Sequence, residues 1–100
     1  MRGNVGERWE EYLRLGRRMS SHTVAAYLGD FHSLMEFLSL GTDATPDQLR
    51  EALTQRAVRS WLARTLADGG ARSTIARHTA AIRNFTAWAT REGILASDPA

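Results

Sequence analysis

Cysteine and lysine are both absent from this chain of 100 residues. Without cysteine the chain has neither a disulfide framework nor a thiolate metal site. This absence fits a reducing compartment, and we expect a cytoplasmic protein. Without lysine, all 13 basic residues are arginine. GC-rich codon usage explains that bias, which therefore does not point to a function.

Long hydrophobic runs are also absent. No apolar stretch approaches the length of a membrane span, and the segment from Met1 to Tyr12 lacks the apolar core of a signal peptide. We therefore expect no membrane partner. The 43% hydrophobic content suffices for one modest core, which predicts a single small domain.

The charge is uneven along the chain. The formal net charge of +2 is too small to indicate nucleic-acid binding by itself. Residues 69–100, however, contain four arginines against only Glu92 and Asp98. Because the local field decides where a polyanion docks, this segment is the candidate binding region.

Hydrophobic positions recur with a helical period, and no stretch alternates with period two. The pattern predicts four long helices and one short helical turn: Val5 to about Arg17, Ser20 or Ser21 to about Leu40, Pro46 to Leu53 (the turn), after Thr54 to Ala67, and near Ser73 to Arg91. The fold class is therefore all-α, a bundle of two helical hairpins that are free to cross. We expect eight side chains to be buried together: Tyr27, Phe31, Leu34, Leu38, Leu62, Ile75, Ile82 and Phe85.

The second and fourth long helices share an unusual outward face. On the fourth helix, small residues such as Ala76 and Ala80 alternate with arginines, and no acid is present from Gly69 to Arg91. Such a face can approach a duplex groove while guanidinium groups reach phosphates or guanine edges. A solvated face with chance arginines is an equally good interpretation of this helix alone. We expect Arg77→Ala and Arg83→Ala to leave the fold intact, since both residues lie on the outward face.

The second helix begins in the same way, with hydroxyl-bearing residues at its first turn. Its outward positions after that turn are small and uncharged and include Gly29 and Ser33. Ordinary capping explains Ser20 at least as well as phosphate binding does.

No credible active site is present. The histidines His22, His32 and His78 have no metal-ligand spacing with acidic residues, and Gly69-Gly70 lacks the lysine of a phosphate loop. We expect no metal, no cofactor and no enzymatic activity of this fragment.

Several motifs together resemble one family. Ser21-His22-Thr23-x-x-x-Tyr27-x-x-Asp30-Phe31, Val58-Arg59-Ser60-Trp61-Leu62, and the closing Arg91-Glu92-Gly93-Ile94-Leu95 and Asp98-Pro99-Ala100 are similar to the N-terminal domains of tyrosine recombinases of the Xer and phage-integrase type. The similarity spans about Trp9 to Ala100. No single motif is decisive, but their order and spacing are hard to obtain by chance.

The resemblance implies a SAM-like core-binding domain over residues 1–93, with residues 94–100 beginning a linker to a catalytic domain. It implies that the second and fourth helices grip a double-stranded recombination half-site, and that the partners are DNA, the catalytic domain of the same chain and other recombinase protomers. The DNA-binding residues would then be Ser21, His22, Thr23, Ala26, Arg72, Ser73, Thr74, Arg77, Ala80, Arg83 and Asn84. The family often has arginine where this chain has Ala25, Leu28 or Gly29, so the fourth helix must supply more of the affinity.

Two other functions are compatible with a small helical bundle. One is a protein-interaction module, since the fold does not determine the function. The other is a regulator of helix-turn-helix type, although the hairpin of the third and fourth helices lacks a short recognition helix.

Overall fold

The computed structural model describes residues 3–100, and helices are the regular secondary structure of that range. Their bounds are α1 Val5–Glu11, α2 Ser21–Phe37, α3 Pro46–Ala52, α4 Gln55–Ala67 and α5 Arg72–Arg91, with a π-helical segment Tyr12–Gly16 continuing α1. This confirms the all-α prediction. The second and fourth long helices of the sequence are α2 and α5, and α2 packs against α1, α4 and α5. No described helix is long and apolar enough to cross a membrane.

Side-chain caps explain where most helices begin. Ser20 accepts a hydrogen bond from the Thr23 amide at 3.2 Å, and Thr54 accepts one from the Ala57 amide at 3.1 Å. Each satisfies an amide that the first turn leaves without a partner. Helix α5 differs: it begins at Arg72, its N-cap is Ala71, and no side chain caps it. The hydroxyl-bearing residues at this helix start, Ser73 and Thr74, therefore lie inside its first turn and do not cap it.

The first helix is not α-helical to Arg17 as predicted. After Glu11 the chain widens into a π-helical turn, with the Arg17 amide bonded to the Tyr12 carbonyl at 2.9 Å. Leu13 is fully buried in this turn, whereas Leu15 is 72% exposed. The wider turn ends the helix, and Arg18 follows with a φ of 53°.

Three aromatic rings form the centre of the core. Trp9 meets Phe85 edge-on at 5.2 Å between centroids, and Phe31 lies 4.8 Å from Phe85. These rings come from α1, α2 and α5, so the core sits where the three helices meet. Trp88 is buried and stacks on Tyr12 at 6.0 Å, which fixes the end of α5 against the first helix.

The predicted core is largely correct. Phe31, Leu34, Ile82 and Phe85 are buried, and Tyr27, Leu38 and Leu62 pack against them while partly exposed. Ile75 is only half-buried and lies outside this cluster, because it belongs to the first turn of α5 beside the exposed turn from α4.

The C-terminal segment packs onto the bundle. Gly93 adopts a φ of 76°, a left-handed conformation suited to a helix C-terminus, and the Ile94 amide bonds the Ala89 carbonyl at 2.8 Å. Ile94 and Leu95 are thereby buried in the core. The packed unit reaches two residues beyond the predicted boundary at residue 93, and a linker over residues 94–100 stays a prediction.

Candidate functional site

The outward face of α5 carries positive charge without any acidic side chain on the same helix. Of its four arginines, Arg72 and Arg83 are exposed, and their side chains make no hydrogen bond or ion pair within residues 3–100. Arg91 donates to the Tyr12 hydroxyl at 3.0 Å and lies over its ring. Arg72 and Arg83 are therefore the arginines of this helix whose side chains no described residue engages.

Arg77 is bound to an acidic residue of α2. Its Nε donates to Asp30 Oδ2 and its Nη2 donates to Asp30 Oδ1, both at 2.9 Å. The Asp30 side chain is only 2% exposed, whereas 46% of the Arg77 side chain remains accessible. The hydrogen bonds and the nearby carboxylate raise the pKa of Arg77 above its usual value, so the guanidinium stays charged. Arg77 is on the surface as predicted, but it is not free of internal contacts, because Asp30 needs a cation when buried.

His78 contacts the same Asp30 carboxylate from the core side. His78 is buried, and its Nδ1 lies 2.8 Å from Asp30 Oδ1, so Nδ1 carries the proton that the carboxylate accepts. The His78 ring stacks on Trp61 of α4 at 4.3 Å, and Trp61 Nε1 donates to Ser33 Oγ at 3.1 Å. Three helices are thus joined around Asp30. Ser33, predicted on the outward face of α2, is half-buried because it accepts this bond.

The other predicted site residues lie in two groups. At the start of α2, Ser21 and His22 are exposed, while Thr23 and Ala26 are half-buried. On α5, Arg72, Ser73, Ala80 and Arg83 are exposed, and Thr74 is half-buried. At 100° per residue, Arg77 and Arg83 lie about 60° to either side of Ala80. On the helix surface, Ala80 therefore lies between the Cα positions of the two arginines.

Asn84 is the predicted site residue with the least freedom. It is half-buried, and its Oδ1 accepts a hydrogen bond from Trp9 Nε1 at 3.0 Å. This contact leaves the amide oxygen committed to the core, because the indole N–H needs an acceptor when Trp9 is buried. The amide NH₂ group of Asn84 makes no hydrogen bond to a described residue and is the part of the side chain most available to a ligand.

One basic residue was missed by the sequence interpretation. Arg59 of α4 lines a cleft of about 220 Å³ together with Arg83, and Val58 and Ile82 are among its apolar lining. Pro99 and Ala100 close the same cleft. Arg59 lies on α4, which contacts α5, and only the pairing of these helices shows that it adds positive charge beside Arg83.

On the α5 face, the exposed charged groups are guanidinium groups. No group of three or more His, Asp or Glu side chains in residues 3–100 is placed to hold a metal ion. The arrangement offers an acid-free helix face with exposed guanidinium groups at a helix–helix junction.

Comparisons with known proteins agree with this fold. A family model described as "Phage integrase, N-terminal SAM-like domain" matches residues 7–93. The tyrosine recombinase XerC of Mycobacterium sp. (strain JLS) is 45% identical over 97 residues, which are 97% of this chain and 31% of that protein. The tyrosine recombinase XerC of Mycobacterium tuberculosis (strain ATCC 25177 / H37Ra) is 49% identical over 94 residues, which are 94% of this chain and 30% of that protein.

The chain therefore spans about a third of the length of these relatives. The matched part is their N-terminal domain, and their catalytic domain lies outside it. No solved structure matches the chain. The helical fold, the family model over residues 7–93 and these relatives lead to one conclusion: the chain belongs to the family of phage integrase N-terminal SAM-like domains.

Proposed function

We propose that this chain is the DNA-binding domain of a site-specific tyrosine recombinase and that it grips a recombination half-site through α2 and α5. The observation that carries the proposal is the α5 face, on which exposed arginines flank small residues and no acid is present. The relatives are named as tyrosine recombinases, which supports a role on DNA. The partners would be duplex DNA in the cytoplasm, the catalytic domain of the same polypeptide and further protomers.

Charge and shape both support a groove-facing role for α5. Arg72 and Arg83 have no acidic partner in the described part of the chain, so their charge is available to phosphates. Ala76 and Ala80 leave room for the helix axis to approach the duplex. Arg59, across the cleft from Arg83, extends the positive surface onto α4.

Helix α2 contributes less positive charge to the proposed DNA-binding surface than α5 does. Its exposed positions include His22, Ala25 and Gly29, and a Cβ atom added at Gly29 would meet nothing within 4 Å. The acid on the α5-facing side of this helix, Asp30, is buried and already paired, so it repels a polyanion less than a free carboxylate would. The α2 face is thus suited to close approach more than to charge attraction.

Salt-dependent titration tests the proposal. The chain is titrated with duplexes selected by it from a randomised pool, and we expect binding as a monomer. With about two or three phosphate contacts, affinity should fall about 10- to 40-fold between 50 and 200 mM salt. Arg83→Ala should reduce affinity and lower the salt slope by about one.

The matched control is Arg14→Ala. Arg14 is an exposed arginine that pairs with Glu10 on the first helix, so the variant makes the same change in charge away from α2 and α5. Equal losses in both variants would show that net charge, and not the α5 face, drives binding. A chain that selects no duplex, or that forms a stable dimer without DNA, would favour the protein-interaction module.

A further inference from the structure

The Asp30–Arg77 pair leaves one edge of the guanidinium group free. A guanidinium has five N–H donors in a planar fork. Asp30 occupies the edge formed by Nε and Nη2. The remaining edge, formed by Nη1 and Nη2, has two parallel N–H groups that no described residue engages, and the side chain is 46% exposed.

Asp30 also fixes the direction of that edge. Its carboxylate is held by two hydrogen bonds from Arg77 and by His78 Nδ1 at 2.8 Å. His78 is in turn clamped against Trp61. A long surface arginine normally samples many rotamers, and ordering it costs free energy on binding. Here the plane of Arg77 is already set by buried groups on three helices.

Charge decides which DNA group suits this edge. Asp30 cancels most of the positive charge of Arg77, so the pair attracts a phosphate less than the unpaired Arg83 does. A phosphate on the free edge would also approach the Asp30 carboxylate. The guanine O6 and N7 atoms are neutral acceptors that match two parallel N–H donors. The paired arginine therefore fits a base edge, and the unpaired arginine fits the backbone.

We propose that Arg77 recognises a guanine in the major groove through its Nη1–Nη2 edge, and that Asp30 is the positioning residue that presents this edge. The inference rests on the proposed function, because it requires duplex DNA against α5. In this proposal Arg77 determines which DNA sequence is preferred, and Arg83 adds affinity that is the same for every sequence.

The variant Asp30→Asn tests whether Asp30 positions Arg77 or only stabilises the fold. The substitution keeps the shape of the side chain but removes its negative charge. Wild-type and variant chains each select duplexes from a randomised pool, and the affinity for an unselected duplex is measured beside the selection. Thermal unfolding monitored by circular dichroism reports how much of each chain is folded.

For Asp30→Asn we expect opposite changes in the two measurements. Preference for one guanine position should fall about 5- to 150-fold, the equivalent of one lost bidentate base contact. Affinity for the unselected duplex should rise, because the variant carries one more net positive charge. A purely structural role of Asp30 would lower the affinity for every duplex by the same factor and leave the guanine preference unchanged, and that result would overturn the inference.

Arg77→Lys decides the case if Asp30→Asn is unfolded at the assay temperature. Lysine keeps the charge and pairs with Asp30, but it lacks the planar fork. We expect the same loss of guanine preference, with affinity for the unselected duplex within about twofold of wild type. Arg83→Ala is the control, in which preference is kept and affinity falls.

The outcomes also separate the two proposals. A wild-type chain that binds no duplex refutes the proposed function, and this inference with it. A wild-type chain that selects a sequence, together with an Arg77→Lys variant that selects the same sequence with the same preference, refutes only the role given to Arg77 and Asp30.

Discussion

Buried Asp30 gives the surface residue Arg77 a structural role. The carboxylate lies inside the α2–α5 junction, where it forms an ion pair with Arg77 on the surface side and a hydrogen bond with His78 on the core side. Removing either partner leaves a buried acceptor short of donors, which costs free energy. Arg77 therefore contributes to the fold as well as to the surface, contrary to the sequence-based expectation.

This contact predicts different stabilities for two arginine variants. Arg77→Ala should lower the free energy of unfolding by about 1–3 kcal/mol, because Asp30 loses two of its three hydrogen bonds. Arg83→Ala should stay within about 0.5 kcal/mol of wild type, since Arg83 makes no contact of this kind. Urea denaturation measures both, and equal stabilities would show that the ion pair contributes nothing in solution.

The sequence predicts this cluster only in part. Asp30 stands among the apolar positions of α2, near Phe31 and Leu34, and an acid in such a stripe needs a partner when buried. That signal is present in the sequence. Which partner it meets depends on how α2 and α5 are placed side by side, and helical periodicity in each helix separately does not contain that information.

At the level of elements, the helices lie where the period of the hydrophobic residues predicts them. Their ends depend on the capping residues and on local backbone hydrogen bonds. Ser20 caps α2 as expected, and Thr54 caps α4. The π-helical turn at Tyr12–Gly16 was not foreseen, because the apolar spacing of Trp9 and Leu13 fits an ordinary α-helix equally well. The start of α5 at Arg72 agrees with the predicted start near Ser73, and the run of three polar residues Arg72–Thr74 explains why the sequence does not single out one of them.

The uncapped start of α5 can be improved. Ala71 is exposed and has the extended backbone of an N-cap, with φ −69° and ψ 155°. Ala71→Ser should raise the free energy of unfolding by about 1 kcal/mol, because a hydroxyl at this position accepts a bond from a free amide. Thermal or urea unfolding measures the gain. Thr54→Ala on α4 is the inverse control and should cost about the same amount; a loss of stability in Ala71→Ser would contradict the observed cap position.

At the scale of the whole molecule, the C-terminal segment is part of the bundle. Ile94 and Leu95 are as well buried as many residues of the helices. Ile94→Ala should therefore lower the free energy of unfolding by about 2–5 kcal/mol, the usual cost of truncating a buried aliphatic side chain. Ser97→Ala, a change at an exposed position of the same segment, is the control and should be neutral.

The Ile94 measurement also tests the predicted domain boundary. If Ile94→Ala is as stable as Ser97→Ala, the segment does not contribute to the core in solution. The boundary at residue 93 would then hold. The large loss that we expect would place the end of the cooperative unit after Leu95.

Substitutions at Gly29 can measure how closely a bound duplex approaches α2. A glycine inside a helix costs about 1 kcal/mol relative to alanine, and no neighbour within residues 3–100 requires it. Gly29→Ala and Gly29→Gln should both raise the unfolding temperature. If DNA lies against this helix, Gly29→Gln should weaken duplex binding more than Gly29→Ala does. The length of the shortest side chain that weakens binding then gives the gap between the helix and the duplex. Binding that is unaffected by either side chain would mean that α2 stands clear of the groove, leaving α5 as the only helix of the pair that touches it.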